Sequence, residues 1–343
     1  MNHKQHQERP GRSVLPTIAL FVMATVAALI FGEVVVRIAV PVRNVGPTFS
    51  EYDPLYGKRL KKSFSCVRTA SEFTMHFSTN SLGFRGPEPP AFPSGGILFL
   101  GDSFTSGYGV NDGEEFPALI RRRLAEDRAA SAPPVVNAGS GNTGNGYWLR
   151  FLDAEAERYR PRLVVLGFCV NDFADNSLEQ MYEFAAGGTL NTRPTPHGQE
   201  GARTAQAVIE AIPGLAYSHL VGLARQVFSE GLNTSSTPPP ASAPDDTLTY
   251  AIVDSVFRFC AVRHLPAIMV IVEVGGERLT HLRTIAERYS VPFVVAPAKR
   301  ERPDLYYRVD GHWNATGHAA VTELMMEPIR QVLDRGRNVV WQH

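Results

Sequence analysis

Four short polar clusters carry the residue types that acyl chemistry needs. They are Gly101-Asp102-Ser103, the glycine-rich stretch from Asn137 to Gly146, Asn171-Asp172, and Asp310-Gly311-His312. A serine hydroxyl is a weak nucleophile until a neighbouring base takes its proton. A histidine can be that base, and a carboxylate holds its tautomer and orientation. Ser103, His312 and Asp310 supply these three types. The oxyanion of a tetrahedral intermediate needs preorganised donors. The Ser103 N–H, the N–H groups of the glycine-rich loop and the Asn171 amide are the candidates.

These clusters must be brought together by the elements between them. From Gly95 onward, short apolar runs alternate with helical patterns, which predicts a parallel sheet with crossover helices. Ile97–Leu100, Val135–Ala138, Leu163–Phe168, Ala267–Val272 and Val291–Val295 read as five strands. Glu114–Ala130, Gly146–Tyr159, Thr204–Phe228, Leu248–His264, Glu277–Tyr289 and Asn314–Arg335 read as helices. Three of the clusters follow a strand directly and the fourth precedes the last helix. In an open α/β sheet, ligands sit at the carboxyl ends of the strands. The expected architecture is a three-layer α/β/α sandwich around a parallel five-stranded sheet.

The chain ahead of this domain reads differently. Val14 to Phe31 is an uncharged apolar run, near the lower length limit for a membrane span, and Val34 to Val36 extend it past Glu33. Lys4, Arg9 and Arg12 precede it and Arg37 and Arg43 follow, a small bias that favours an N-terminus inside the cytoplasm. A signal peptide is the competing reading, and the run lacks a convincing small-residue cleavage site. The expected organisation is a cytoplasmic tail over 1–12, a transmembrane anchor over 13–36, a connecting region over 37–94 and a catalytic domain over 95–337. That domain carries an insertion over 177–246, whose NTSSTPPPASAPD stretch reads as a flexible loop. The expected location is the cytoplasmic membrane, single-pass, with the catalytic domain outside.

Composition narrows the function classes. Thirty-four basic residues balance 34 acidic ones, so no electrostatic footprint for nucleic acid is present. Cys66, Cys169 and Cys260 form no CxxC pair, and no histidine–cysteine cluster has metal-ligand spacing. No metal and no cofactor are expected. Gly139, Gly141 and Gly144 do spell G-x-G-x-x-G after a strand. The acidic residue that a dinucleotide site needs at the next strand end is missing, because Gly167 to Val170 offers none and Asp172 lies too far along. Asp172 is read as a helix cap, His318 as a surface or packing histidine, Asn314 as the cap of the last helix, and Cys169 as an inert core residue.

Taken in order, the four clusters resemble the blocks of the SGNH/GDSL hydrolases. Gly101-Asp102-Ser103 resembles the block that names the family, the stretch after Asn137 the block with the oxyanion glycine, Val170-Asn171-Asp172 the G-x-N-D block, and Asp310-Gly311-His312 the D-x-x-H block. The resemblance spans about 95–337. Tyr52-Asp53-Pro54 and Asn80-Ser81-Leu82-Gly83-Phe84-Arg85-Gly86 look like the lead-in of membrane-anchored bacterial members. It implies a flavodoxin-like fold, a Ser103–His312–Asp310 triad, and an oxyanion hole from Ser103, Gly141 and Asn171. Four departures stand out. Phe104 replaces the usual Leu, Cys169 stands at the glycine of G-x-N-D, and the last block is D-x-H, a spacing similar to that of relatives handling bacterial polysaccharide. The oxyanion block, Asn137-Ala138-Gly139-Ser140-Gly141, is one residue shorter than the usual pattern, with Gly141 preferred as the donor and Gly139 second. The expected activity is hydrolysis of acyl esters, with a small-molecule or glycan ester as substrate. A polysaccharide O-acetyltransferase and a catalytically silent glycan-binding protein are the alternatives.

Overall fold

A computed structural model describes residues 15–335, apart from 41, 43, 90–91, 129–130, 186–187, 195–206, 213 and 236–245. The expected tail over 1–12 and most of the NTSSTPPPASAPD stretch lie outside the described residues. The chain opens with helix α1 (Leu15–Ala39). Two antiparallel hairpins follow, β1 (Ser50–Asp53) with β2 (Gly57–Leu60) and β3 (Ser65–Thr69) with β4 (Thr74–Ser78).

The parallel-sheet scaffold then begins with β5 (Ile97–Gly101), α2 (Ser103–Ser106), α3 (Phe116–Arg128), β6 (Val135–Asn137), α4 (Asn145–Tyr159) and β7 (Leu163–Cys169). After α5 (Asp172–Glu179) comes a small hairpin, β8 (Tyr182–Phe184) and β9 (Leu190–Thr192), which lies inside the 177–246 segment. Helical turns at 207–211 (α6) and helix α7 (His219–Ser235) follow. Then come α8 (Asp246–Val262), β10 (Ala267–Val272), α9 (Gly276–Arg288), β11 (Phe293–Val295) and α10 (Ala315–Arg335).

Five parallel strands form one sheet in the order β11-β10-β7-β5-β6. Alternation along β5 explains the two covering layers. Leu98 and Leu100 point into a core shared with α4, α8 and α9, and Ile97 and Phe99 into a core shared with α3 and α10. Every residue of β5, β7 and β10 is buried, as central strands covered on both faces must be. This is the expected three-layer sandwich. The chain leaves β5 toward β6 on one side and returns through β7 on the other, so the β5/β7 boundary is the topological switch point where a crevice opens.

Three elements differ from the sequence reading. The single helix expected over Thr204–Phe228 is broken between α6 and α7, where Gly214 adopts φ 80° and a 3-10 turn spans Leu215–Tyr217. The expected strand at Val291 starts two residues later, at Phe293. The segment expected to be a connecting region with short extended pieces such as Phe73–Phe77, 37–94, does carry a strand there but is more than a connection, since its β3–β4 hairpin packs through Phe73, which meets Tyr108 and Tyr307 with ring centroids 5.4 Å and 4.8 Å away. Arg85, near its end, is fully buried.

Candidate active site

Ser103 sits at the first position of α2, immediately after β5. Asp102 is the N-cap, and its carboxylate accepts the Phe104 N–H at 2.9 Å. At this position the Ser103 N–H has no intrahelical partner and is free for an anion. The turn can press onto the sheet because two strand residues are glycines. A Cβ at Gly101 would stand 2.0 Å from Thr105 Oγ1, and one at Gly167 would stand 2.2 Å from it.

Ser103 Oγ lies 2.7 Å from His312 Nε2, and His312 Nδ1 lies 2.6 Å from Asp310 Oδ1. With Nδ1–H donating to Asp310, the Nε2 lone pair faces the serine hydroxyl, the tautomer that a general base requires. The two-residue spacing of Asp310 and His312 works because Gly311 between them adopts φ 90°, in the left-handed region that favours glycine. Burial raises the Asp310 pKa, but the bond to His312 and the Lys299 charge outweigh it and hold the carboxyl below its usual range. Phe104 and Tyr108 flank the imidazole, each with ring centroids 4.9 Å away.

The glycine-rich loop comes up beside the serine. A Cβ on Gly141 would stand 3.5 Å from Ser103 Cβ, whereas one on Gly139 would stand 2.5 Å from Ser106 N, beneath the α2 turn. The Gly139 N–H is also engaged with Asn137 Oδ1 at 3.1 Å. Of the two glycines, Gly141 is the one next to the nucleophile. Lys58, from β2, donates to the Gly141 carbonyl at 2.7 Å and fixes the loop from outside. Burial pushes the Lys58 ammonium pKa down, while Glu179 and Asp175 oppose the fall.

Asn171 is the N-cap of α5, and its Nδ2 donates to Asp175 Oδ2 at 2.7 Å. An oxyanion would therefore compete with Asp175 for that amide. Asp172 is not the cap that its sequence position suggested. It is fully buried, accepts from Asn145 Nδ2 at 2.7 Å and from the Cys169 N–H at 3.2 Å, and its Oδ1 has no partner among the described residues. Burial first, and the nearby Asp102 second, push its pKa well above the ordinary carboxyl value. Asn314 does cap α10, through Gly317 N–H. His318 is wholly buried, its Nδ1 accepting the Phe116 N–H at 3.2 Å. Cys169 is a buried free thiol at the end of β7.

Two residues that the sequence did not flag shape the site. The Glu72 carboxylate, at the β3–β4 turn, accepts the backbone N–H groups of Arg308, Val309 and Asp310 at 3.0, 2.7 and 2.8 Å. Slight burial raises its pKa, and these three donors lower it by more. Tyr108 forms the wall over His312, and burial pushes its phenol pKa up to about 12. Neither residue sits in a recognisable block, because each acts through a neighbour that is distant in sequence.

Residues 99–260 match the model of the GDSL-like lipase/acylhydrolase family. That span includes Ser103, Gly141 and Asn171 and ends before Asp310 and His312. Among solved structures, the psychrotrophic esterase EstA from Pseudoalteromonas sp. is 14% identical, with 70% of this chain and 100% of that chain covered and a TM-score of 0.41. The acetyl xylan esterase AlAXEase is 13% identical over 68% and 98% of the two chains, with a TM-score of 0.42. A GDSL-like lipase from Bacteroides thetaiotaomicron VPI-5482 is 12% identical over 70% and 92%, with a TM-score of 0.37. No curated protein matches this chain. Over residues 99–260, in a parallel-sheet scaffold with a serine at the crevice, the chain matches the GDSL-like lipase/acylhydrolase family, a match that supports an ester-acting hydrolase.

Proposed function

We propose that the protein hydrolyses O-acyl esters through a covalent Ser103 acyl-enzyme, with His312 as base and acid and Asp310 as its orienting partner. The observation that carries this reading is the unbroken contact chain from Ser103 Oγ to His312 Nε2 and from His312 Nδ1 to Asp310 Oδ1. Ser103 Oγ attacks the ester carbonyl carbon as His312 Nε2 takes its proton. The carbonyl oxygen becomes an oxyanion, held by the N–H groups of Ser103 and Gly141 and by the Asn171 amide. Collapse breaks the bond to the alcohol, which leaves with the proton from His312. Water then attacks the acyl-enzyme with His312 again as base, releasing the acid and restoring Ser103. A sugar hydroxyl in place of that water would make the second step a transfer.

The helix α1 is long and apolar enough to cross a membrane, and its most apolar stretch is not buried against the described residues. On this reading it anchors the enzyme, with the site outside the cytoplasm among the envelope glycan esters. The test is turnover of short acyl esters by the full chain in detergent, with and without a sugar acceptor. Ser103→Ala and His312→Ala should each lower kcat by several orders of magnitude, since such groups act as a unit. Folded Ser103→Ala turning over ester at the wild-type rate would overturn the assignment. Acylated acceptor in the products would identify a transferase.

A further inference from the structure

The domain is fastened to α1 by side chains as well as by the chain. A span of about 20 residues crosses the hydrocarbon layer; counted from Leu15, it ends near Val34. Glu33 therefore stands at the outer boundary, where a charge is tolerated. Its carboxylate is not idle. It accepts Ser218 O–H at 2.7 Å and the N–H groups of His219 and Leu220 at 2.9 and 3.0 Å, capping the start of α7. Above it, Val36, Val42 and Val45 form a small core with Leu220 and Leu223. Helix α7 thus runs up alongside the exit of the anchor, and the catalytic domain is held to it through side chains as well as through the connecting chain.

Two consequences follow from that docking. The first concerns α6 and the turn before α7. Val208, Ile212 and Tyr217 are 55%, 49% and 45% exposed. Glu210, on the other side of α6, faces the body, taking the Thr48 N–H and the Lys61 ammonium at 2.8 Å each. Tyr217 immediately precedes the serine bound to Glu33. Tyr217 therefore stands beside the residues that Glu33 holds at the end of the span, and Val208 and Ile212 lie on the side of α6 turned away from the contacts of Glu210. Apolar and tyrosine side chains at that depth belong in the headgroup boundary.

The second concerns the catalytic centre. Asn44 Oδ1 accepts the Tyr108 hydroxyl, and Tyr108 is the wall against His312. Only 40–43 separate Asn44 from the end of α1, a stretch spanning at most roughly 18 Å when extended. The Tyr108 side of the site is thereby kept within a short reach of the end of α1.

We propose that Val208, Ile212 and Tyr217 rest in the outer leaflet that α1 crosses, and that the acyl ester presented to Ser103 is borne by an amphiphile embedded in that leaflet. The second half rests on the acyl-ester reading of the triad. Lipid-linked glycans and the membrane lipids themselves share this chemistry, an ester held at headgroup level by an apolar tail.

The first test reads depth without catalysis. The native thiols Cys66, Cys169 and Cys260 are buried, so Ile212→Cys and Val262→Cys variants of the full chain can each take one environment-sensitive fluorophore. Val262 is 71% exposed and sits at the end of α8, shortly before β10 enters the sheet from its amino end. In vesicles of phosphatidylcholine and phosphatidylglycerol, brominated acyl chains should quench the label at 212 and spare the label at 262. An unquenched label at 212 overturns the membrane placement, whatever the catalytic residues prove to be.

The second test uses a long-chain umbelliferyl ester embedded in the vesicles and a soluble acetate ester. Val208→Asp combined with Ile212→Asp should lower turnover of the embedded ester by about tenfold, the effect of ~1.4 kcal/mol of lost interfacial contact, and leave the soluble ester unchanged. An equal effect on both esters, or none, overturns the substrate class. Loss of both activities in Ser103→Ala, and their survival in that variant, separately decide the triad. Arms with a lipid-linked glycan ester and with a phospholipid distinguish the two sources.

Discussion

Glu72, outside every recognisable block, holds the loop that carries Asp310, the carboxylate of the proposed triad. Three successive backbone N–H groups of the loop carrying Asp310 converge on its carboxylate. Glu72→Ala leaves those donors to water and frees the loop. The expected result is a fall in kcat of about tenfold or more, because misplacing a reacting group by about 1 Å can cost 10²-fold. KM should change little, and Glu72→Gln, which keeps one acceptor oxygen, should recover part of the rate. Equal kcat in wild type and Glu72→Ala would assign the contact to stability alone. Asn171 poses the complementary question, since its amide is engaged with Asp175. Loss of one oxyanion donor typically costs about 10²–10³ in rate. Asn171→Ala should fall in that range, and an unchanged kcat would leave the oxyanion to the backbone N–H groups of Ser103 and Gly141.

Among the elements, the loop after α2 depends on a side chain from the N-terminal segment. Arg85 donates to the carbonyls of Ser106, Gly107 and Val110 and to Asp112, lies 3.8 Å from Glu115, and stacks over Phe77. A guanidinium suits this place because one rigid fork meets several oxygens at once. Removing one partner of such a buried pair is strongly destabilising, by about 3–5 kcal/mol, because the other charges are left without compensation. Arg85→Met should show that loss as a lower midpoint in urea unfolding. It should also reduce activity in the folded fraction, since the same carbonyls shape the turn that begins at Ser103. A variant as stable as wild type would mean that the loop closes without the arginine.

For the molecule as a whole, pH dependence of stability has an identifiable source. Burial lowers the pKa of His318 to about 3, with the charges of Arg85 and His312 adding to the fall. An unfolded histidine titrates near 6.5. Between those values the unfolded chain binds the extra proton, so stability is full above about 6.5 and is lost as pH falls toward about 3. His318→Gln should flatten that part of the melting-temperature profile, with an effect of order a few kcal/mol at the acid end. An identical acid slope in the variant would move the effect to other groups. The outward placement of the body is tested on intact spheroplasts carrying a C-terminal tag. Outward placement requires that added protease remove the tag without lysis, whereas a tag protected until lysis would put the site in the cytoplasm.

The fold was legible because its signals are local. Ile97–Leu100 and Leu163–Phe168 are unbroken apolar runs, and polar clusters follow them directly, so a parallel sheet and its carboxyl edge could be read without any contact being known. Ser103, His312 and Asp310 were singled out for the same reason, since type, order and position after predicted strands are properties of the chain. The α6–α7 break is hidden in the sequence because the helical periodicity of 204–228 runs through it, although Ile212-Pro213-Gly214 is a local breaker signal. What lay beyond reading were relations between residues far apart in sequence. Glu72 meets Asp310, Lys58 meets Gly141 and Glu33 meets Ser218 only after the sheet and its hairpins have folded, and each of these is an ordinary charged residue in its own neighbourhood. The role expected of Asp172 changed for the same reason. Capping is a local possibility, but burial beneath α4 against Asn145 was decided by packing, because a side chain's solvation depends on everything that closes around it.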